Sequence, residues 1–376
     1  MGNPLLSIVV PTKDRYKYLK HLVKLIQSYG SDEWEIVVQD NTEDNTEIVE
    51  FLKELNYPGC KYYHEKGQLP MTTNADKAIM HSVGEYVCFL GDDDGICPNA
   101  LDYCRFMKDK GYEALRSNLA DYLWPDATSK YESIGGRVSY KKTSKRVAIL
   151  SSQDVLMDVV ERGFVDRGNL PSVYHGIVHR AALERVYNKC GTFFPGQSPD
   201  ISSGIANSLV MDSFILVDDI ITISGASKFH GGVTVGMTKR FPEIKDMVWF
   251  RPGAEEIWDK HLPKIAVGSI IWAESSIETL RNMGREDLVS SIDFTPIYKY
   301  FVVYFYPVRK MAYPLSNSPV RLSIYASFGL VKRIWKALLR IIRNKLNINN
   351  EEVIVKLKVD NIQQCVDILL HAGEEV

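Results

Sequence analysis

Short apolar runs alternate with longer segments of helical spacing over the first hundred residues. Residues 6–10 form a β-branched run closed by a proline, and apolar positions then recur every three or four residues. The same pattern predicts strands at 6–10, 34–39, 60–64 and 84–90, and helices near 18–29, 48–55, 73–82 and from about 98. This alternation predicts an α/β fold with a mostly parallel sheet covered by helices on both faces.

Polar clusters follow three of these predicted strands. The clusters are residues 11–15, residues 40–41 and the three consecutive aspartates at 92–94. The carboxyl ends of parallel strands form the edge of the sheet where ligands bind. Three adjacent carboxylates repel one another, and a divalent cation neutralised by substrate phosphates makes them favourable. The pattern therefore predicts a metal-diphosphate site, with a solvated acidic turn as the alternative.

These segments resemble the family 2 glycosyltransferases, which have the nucleotide-binding GT-A fold. The resemblance is carried in order by a strand and Pro-Thr-x-x-Arg turn at 7–15, a strand ending in Asp-Asn at 36–41, an Asn-to-Ala helical segment at 74–78 and the Gly-Glu-Tyr to Asp-Asp stretch at 84–94. It covers about residues 5–120 and extends more loosely to 235. The family often has Asp where this chain has Gly91, so the metal pair is either Asp92 with Asp94 or Asp93 with Asp94.

The resemblance and the chemistry of a sugar nucleotide together imply roles for these residues. The base, ribose and diphosphate need a carboxylate, hydrogen-bonding groups and a cation, here Mn²⁺ or Mg²⁺. We expect Asp94 to hold the metal, Asp92 to lie near the ribose and Asp93 to lie between them, and the metal set comprises Asp94, Asp92 and His230. The expected nucleotide-binding residues are Pro11, Thr12, Arg15, Asp40, Asn74, Asp92 and Asp93. As alternatives, Asp40 is a cap or turn residue, Arg15 pairs with a surface acid, and Asn74 caps its helix.

A transfer that inverts the anomeric centre also needs a base for the acceptor hydroxyl. Asp200 lies in a loop rich in Gly, Pro and Ser before an apolar helix, and it occupies the place where related transferases often carry the catalytic base. Its alternative role is a helix cap. His175 is a candidate acceptor-binding residue or a core histidine, and His230 is a candidate metal ligand in a glycine-flanked loop.

The composition bears on the protein's partners and on the cell compartment in which it works. The chain has 376 residues, 45% of them hydrophobic, and a formal charge of -2, which gives no general attraction to nucleic acid. None of the six cysteines forms a CxxC pair, which favours a reducing compartment. Zinc-ligand spacings, glycine-rich nucleotide signatures, a secretory signal and a spanning apolar segment are all missing from the sequence, so we expect a cytoplasmic protein.

The charge is unevenly distributed, because no acid lies between Phe294 and Asn350. Apolar residues within 331–342 fall on one helical face with cations around the rest. The membrane-facing candidates are Trp335, Lys332, Lys336, Arg340 and Arg343. A basic amphipathic helix with a Trp predicts binding to an anionic membrane surface, and the aromatic run 298–306 is expected at the same interface. The alternative is a helix packed on the domain with a solvated basic face.

The predicted organisation has three parts. Residues 1–235 form a catalytic domain, with a nucleotide half at 1–120 and an acceptor half at 121–235. A helical, basic, membrane-proximal region at 236–350 and a strand-helix extension at 351–376 follow. Together these features predict a metal-dependent, inverting hexosyltransferase. It would use a nucleotide-diphosphate sugar, with a UDP-sugar favoured, and a glycan or lipid-linked glycan acceptor of a surface polysaccharide such as O-antigen or capsule, at the inner face of the cell membrane. The alternatives are a sugar-nucleotide pyrophosphorylase, although residues 11–15 lack the glycine-rich phosphate loop, or a catalytically silent sugar-nucleotide-binding subunit.

Overall fold

A computed structural model describes residues 2–127, 135–228, 242–304, 309–345 and 353–372. The first third follows the predicted alternation. Its elements are β1 (Leu6–Thr12), α1 (Tyr16–Ser28), β2 (Trp34–Asp40), α2 (Thr46–Leu55), β3 (Cys60–His64), α3 (Met71–His81), β4 (Tyr86–Phe89) and α4 (Ala100–Lys110). Every residue of β2 and β4 is buried, as expected for strands covered on both faces.

The middle and last parts of the chain add further strands and helices. The strands are β5 (Gly95–Ile96), β6 (Ala114–Leu123), β7 (Arg137–Lys141), β8 (Val147–Ser151), β9 (Gly176–His179), β10 (Ser213–Ala226) and β11 (Val353–Leu357). The helices are α5 (Ser152–Glu161), α6 (Arg180–Cys190), α7 (Pro199–Ser208), α8 (Ala254–Ile257), α9 (Gly268–Asn282), α10 (Glu286–Ser291), α11 (Thr295–Tyr304), α12 (Arg309–Leu315), α13 (Pro319–Lys345) and α14 (Ile362–Ala372).

One central sheet joins these strands in the order β11-β7-β6-β9-β4-β1-β2-β3, and β10 pairs with β5, β6 and β8 beside this path. The predicted parallel pairing is present in β4-β1-β2-β3, the nucleotide half. Beyond β4 the sheet becomes mixed, because β9 is antiparallel to both β4 and β6. The carboxyl ends of β1, β2 and β4 therefore lie along one edge.

The two largest hydrophobic cores of the described residues pack beneath the elements that carry the site. The larger one lies between the sheet and helices α1 and α4, with Leu22, Val38 and Cys104 fully buried. The second is formed mainly by α5, α7, α9 and α11, with Ile205 and Ile277 fully buried. Helix α9 packs on α7, so the second core reaches the loop that precedes α7.

The C-terminal strand and helix pack against the first part of the chain. Strand β11 pairs antiparallel with β7, and α14 packs on α1. Ile362 and Cys365 are fully buried in the larger core. The sequence predicted both elements but treated them as a separate extension, because pairing between residues more than two hundred positions apart leaves no local signal.

Helix α13 packs over only part of its length. Leu322 and Ala326 are buried in its first half, which lies against α11. Farther along, Trp335 is 62% exposed and Val331 is 65% exposed. The expected membrane position of the aromatic run 298–306 is wrong for its first turns, because Tyr298 and Phe301 are buried in the second core.

Candidate functional site

The three predicted aspartates lie in the loop that follows β4, at the carboxyl edge of the parallel strands. Asp92, Asp93 and Asp94 are each at most 3% exposed. A buried carboxylate must be hydrogen-bonded or paired to remain charged, so the partners of each one define the site.

Asp94 accepts backbone hydrogen bonds from two different segments. Its Oδ1 accepts from the N–H of Gly225 at 2.8 Å, and its Oδ2 accepts from the N–H of Gly91 at 2.7 Å. The hydroxyl of Tyr174 donates to Oδ2 at 3.1 Å, and Nε2 of His175 lies 3.3 Å from the same oxygen. These contacts fix Asp94 between the end of β4, the end of β10 and the loop before β9.

Asp92 and Asp93 share a single guanidinium. Nε of Arg15 lies 3.1 Å from Oδ1 of Asp92, and its Nη2 forms an ion pair with Asp93. The hydroxyl of Thr12 donates to Asp92 at 2.7 Å, while the N–H and hydroxyl of Ser227 donate to Asp93 at 3.2 and 2.8 Å. Arg15 thus pairs with the aspartate cluster itself, and not with a surface acid.

The electrostatics of the cluster reflect three acids around one base. Burial raises the pKa of Asp92 to about 7, although the charge of Arg15 opposes this shift. Burial and the charge of Asp93 raise the pKa of Asp94 well above its ordinary value. For Arg15, burial lowers the pKa, but the charges of Asp92 and Asp93 outweigh that effect and raise it. The site therefore holds more negative charge than its own residues neutralise, which favours binding of a cation.

Two glycines leave the space that this arrangement needs. A Cβ at Gly225 would lie 1.7 Å from the carbonyl oxygen of Asp93, so any side chain there would displace the loop. A Cβ at Gly91 would lie 3.0 Å from Oδ2 of Asp94. An aspartate at position 91, which the family often has, would thus add a fourth carboxyl group next to three.

Asp40 and Asn74 lie at the neighbouring strand end. Asp40 is fully buried, and it accepts hydrogen bonds from the hydroxyls of Tyr16 and Tyr62 at 2.6 and 2.7 Å and from the N–H of Thr42 at 2.9 Å. Asp40 is the last residue of β2, its side chain accepts from the turn that follows, and it is not a helix cap, since α2 begins after Asn45. A contact of Asp40 with a nucleotide base stays a prediction, and its three protein donors leave little room for another.

Asn74 lies in the second turn of α3, so it is not the helix cap. Its side-chain amide donates to the carbonyl of Gln39 at 3.3 Å and to Oδ1 of Asn41 at 3.2 Å. Pro11, the remaining predicted nucleotide residue, is paired with Gln39 across β1 and β2. These residues connect the ends of β1, β2 and α3 on the nucleotide side of the site.

Asp200 lies in the first turn of α7, where Ser198 occupies the cap position. Its Oδ1 accepts from the Ser198 hydroxyl at 2.5 Å, and its Oδ2 lies 3.5 Å from Nη1 of Arg167. The side chain is 15% exposed, which leaves it accessible. Asp94 and Asp200 both raise the pKa of the Tyr174 phenol, after the larger effect of burial, so Tyr174 lies within electrostatic reach of both acids.

A polar network on α9 holds the loop before Asp200. The N–H of Ser198 donates to the hydroxyl of Ser275 at 3.0 Å, and the side-chain amide of Gln197 donates to Glu278 at 3.2 Å. Arg251 closes the network, because its backbone N–H donates to Gln197 at 3.0 Å and its guanidinium lies 3.1 Å from Glu278. The second core thereby fixes the position of Asp200.

His175 is 1% exposed, and its backbone has a φ of 56°, in the left-handed region. A histidine in that conformation costs free energy unless its surroundings fix it, and such residues concentrate at functional sites. Its position beside Asp94 gives it a supporting place in the site. Direct contact with an acceptor stays a prediction.

Sequence reasoning missed Tyr174, Arg167 and Ser227. Tyr174 contacts Asp94, Ser227 contacts Asp93 and Arg167 contacts Asp200, in each case from a segment distant along the chain, so no local pattern joins them. The neighbouring His175 was the only local sign of Tyr174. His230 lies outside the described residues, and so do the side chains of Arg340 and Arg343, whereas Lys332 and Lys336 lie exposed on α13.

The residues present fit the divalent cation that the family resemblance implies. In the described part of the chain, no three His, Cys, Asp or Glu side chains form a complete protein cage for a metal. Mg²⁺ is usually held by one or two carboxylates together with substrate phosphates, so a complete cage is not required. Oδ1 of Asp92 is buried and accepts no hydrogen bond, although Nε of Arg15 lies 3.1 Å away as an ion-pair partner, so this oxygen keeps acceptor capacity for a metal.

Comparison with known proteins agrees with this geometry. Residues 7–108 match the family described as Glycosyl transferase family 2. A segment of 101 residues is 30% identical to WcaA of Escherichia coli K12, named as a colanic acid biosynthesis glycosyl transferase, and covers 27% of this chain and 36% of that protein. A segment of 117 residues is 30% identical to the GalNAc(5)-diNAcBac-PP-undecaprenol beta-1,3-glucosyltransferase of Campylobacter jejuni and covers 31% and 38% of the two chains.

Among solved structures, S. aureus TarS 1-349 in complex with UDP-GlcNAc aligns with a TM-score of 0.48 and 16% identity over 86% of this chain and 79% of that one. The matched segments span little more than a third of the length of the curated relatives. The first third of this chain is thus similar to the family 2 glycosyltransferases. The described residues contain no helix with the length and apolar character needed to cross a bilayer.

Proposed function

We propose that this protein transfers a sugar from a nucleoside diphosphate donor to a hydroxyl group of a glycan, and that it inverts the anomeric centre. The observation that carries the proposal is the buried Asp92–Asp94 cluster, which lies at the carboxyl edge of parallel strands and, among the described residues, has Arg15 as the one arginine paired with its three acids. The cluster lies within residues 7–108, which match the family 2 glycosyltransferases. No feature of the site favours a pyrophosphorylase or a catalytically silent subunit.

The donor would lie over the ends of β1, β2 and β4. Thr12 and Arg15 hold Asp92 and Asp93 in place, and Asp92 would meet the ribose. Asp94, with Asp92, would hold Mn²⁺ or Mg²⁺ together with the donor diphosphate. When bound, the cation would neutralise the nucleoside diphosphate as it leaves.

Asp200 would act as the base that accepts the proton of the attacking hydroxyl. It lies in a different segment from the aspartate cluster, and Tyr174 stands within reach of both. A base must have a fixed position relative to the nucleophile. The hydrogen bonds from α9 to the loop before Asp200 supply that position.

The acceptor would be a lipid-linked glycan of surface polysaccharide synthesis. Support comes from the names of the relatives, one of which acts on an undecaprenol-linked glycan. The second half of α13 supplies independent support, because its apolar residues Val331, Trp335 and Leu338 are exposed beside the cations Lys332 and Lys336. An exposed apolar stripe bordered by cations suits an anionic membrane surface.

Vesicle binding tests the membrane part of the proposal. We expect the wild-type protein to co-sediment with anionic vesicles at low salt, and Lys332, Lys336, Arg340 and Arg343 changed together to Gln to release it, because each cation contributes about 1 kcal/mol near such a surface. Trp335→Ala should weaken the binding that persists at high salt. Equal binding to neutral vesicles, or none to anionic ones, would refute the membrane role and leave the transferase proposal intact.

A thermal-stability screen of nucleotide sugars tests the donor part. A ligand that binds only the folded protein raises its melting temperature, so the correct donor should stabilise the protein in the presence of Mn²⁺. The best donor would then be supplied with glycan acceptors and the release of nucleoside diphosphate measured. Stabilisation without any transfer across acceptor classes would favour the binding-subunit alternative.

A further inference from the structure

Arg116, in the middle of β6, is 9% exposed, and no described residue accepts a hydrogen bond from its guanidinium or forms an ion pair with it. An arginine of this burial normally has a carboxylate, a phosphate or several carbonyls as partners. Arg116 does not pair with the aspartates of the nucleotide site, because the guanidinium that pairs with Asp92 and Asp93 belongs to Arg15.

Arg116 is paired with Gly176 of β9, close in the chain to Ser172, whose hydroxyl donates to the carbonyl of Asp200 at 2.7 Å. A second arginine lies within electrostatic reach of Arg116. Arg167 is 23% exposed, its Nη1 makes no hydrogen bond, and its guanidinium stacks 5.7 Å from the ring centre of Trp272 on α9. Its one carboxylate neighbour is Asp200, with Nη1 3.5 Å from Oδ2, which is longer than a charge-assisted hydrogen bond.

The charges around Asp200 therefore do not balance. Burial and the charge of Arg167 together lower the pKa of Arg116 to about 10, although the charge of Asp200 opposes this shift. Asp200 also accepts hydrogen bonds from the hydroxyl of Ser198 and the N–H of Ile201. One shared carboxylate leaves a surplus positive charge among the described residues, buried beside the expected base.

We propose that Arg116 and Arg167 form a subsite for an anionic group, a phosphate or a carboxylate, carried by the acceptor. This inference rests on the proposed transferase function and names the chemical class of its acceptor. The acceptor is favoured over the donor diphosphate because Arg167 lies beside Asp200, the expected base, and Trp272, which packs against the second core, and neither arginine pairs with Asp92 or Asp93. Two guanidinium groups with free N–H donors suit the planar or tetrahedral oxygens of such a group.

Arg116→Met is the variant that tests the subsite, because it keeps the length and apolar contacts of the side chain and removes the charge. Arg105→Met is the matched control, since Arg105 is 50% exposed on α4 and pairs with Glu33 and Asp102. The probes are inorganic phosphate, free glucuronic acid and UDP with Mn²⁺, each measured by its effect on melting temperature and by calorimetry.

We expect phosphate or glucuronic acid to stabilise the wild type and Arg105→Met, and its affinity to fall about tenfold or more in Arg116→Met, as loss of a charge-assisted hydrogen bond predicts. Without anion, Arg116→Met should melt at the same or a higher temperature, because an unpaired buried charge is removed. The probe that binds, phosphate or glucuronic acid, identifies the anionic group.

Three results would overturn the proposal. Anion affinity that is equal in the wild type and Arg116→Met removes the subsite, and so does a wild type that binds neither anion. A melting temperature that falls sharply in Arg116→Met without anion assigns the residue a structural role. UDP affinity lost along with anion affinity places the arginines on the donor diphosphate. These binding measurements do not depend on turnover. If the transferase proposal alone fails, the protein will bind the anion but transfer no sugar.

Discussion

Two clusters of buried acids occur among the described residues. The first is Asp92 to Asp94 at the end of β4. The second consists of Asp259, Glu274 and Glu278, which are 5%, 1% and 9% exposed. In the second cluster Arg281 pairs with Asp259 and Arg251 with Glu278, while Glu274 accepts a hydrogen bond from a backbone N–H. The first cluster has one arginine for three acids.

This difference distinguishes the proposed donor site from a polar network that supports the fold. The first cluster lies in a loop at the ligand-binding edge of the sheet, and its excess negative charge is a reason to bind a cation. The second cluster lies in a helical core, and its acids are tied to arginines and to the loop before Asp200. Charge removal should therefore abolish function in the first cluster and alter mainly stability in the second.

Asp94→Asn should have the largest effect on function. We expect transfer to fall by about a hundredfold or more, the usual cost of removing one preorganised electrostatic group, while the fold is retained or stabilised because like charges no longer repel. Steady-state transfer and thermal melting are the measurements, with the exposed Asp109→Asn as control. Unchanged transfer in the Asp94 variant would place the functional acids elsewhere.

Asp200→Asn should separate turnover from donor binding. A general base contributes about a hundredfold or more to the rate, so kcat should fall by that factor while the affinity for the nucleotide donor stays within a factor of two or three. Donor affinity is measured by calorimetry and kcat by initial rates, with the 57% exposed Asp158 changed to Asn as control. If a folded Asp200→Asn retains near-normal kcat, the base is a different residue.

Gly225→Ala should destabilise the first cluster through packing. The added Cβ would lie 1.7 Å from the carbonyl oxygen of Asp93, so we expect the free energy of unfolding to fall by about 1–3 kcal/mol, as for other overpacked positions. Urea unfolding measures this change. Gly268→Ala is the control, because a Cβ there meets no atom within 4 Å, and its stability should be unchanged or higher.

Glu274→Gln should change the pH dependence of stability. Burial raises the pKa of Glu274 from its ordinary 4.5 to about 8. Between these values the folded protein binds more protons than the unfolded chain, so its stability falls as pH rises, by up to about 1.4 kcal/mol per pH unit. We expect the variant to match the wild type near pH 5 and to exceed it at pH 8.

Urea unfolding across this pH range, with the 67% exposed Glu286→Gln as control, measures the Glu274 effect. The comparison with the wild type isolates Glu274 from Asp92, whose raised pKa contributes with the same sign in both proteins. Parallel pH curves for the variant and the wild type would show that Glu274 is not the buried proton-binding group.

Local patterns in the sequence predicted much of the first third of the fold. β3 was predicted at its observed bounds, and the aspartates are adjacent in the chain, so their cluster was visible. The second acid cluster was not visible, because Glu274 and Glu278 are spaced like an ordinary solvated helix face. Tertiary packing brings Arg167 into contact with Asp200 and Arg116 within range of its charge, and no local pattern encodes that packing.

Apolar patterns were least informative in the C-terminal region. The aromatic run 298–306 and the stripe on α13 have similar composition, yet Phe301 is fully buried while Trp335 is 62% exposed. The first half of α13 packs against α11, whereas Val331, Trp335 and Leu338 farther along the helix stay exposed. Which of two apolar faces is covered depends on the docking of helices, and hydrophobic periodicity alone does not determine it.

Calorimetry of nucleoside diphosphate binding tests the central claim most directly. Wild-type protein and the Asp92→Asn, Asp94→Asn double variant would be titrated with UDP and GDP, each with Mn²⁺ and with EDTA. The account predicts that the wild type binds one of these nucleotides in a Mn²⁺-dependent manner and that the folded double variant loses this binding. Equal nucleotide affinity in the two proteins, or no binding by the wild type under any of these conditions, would contradict it.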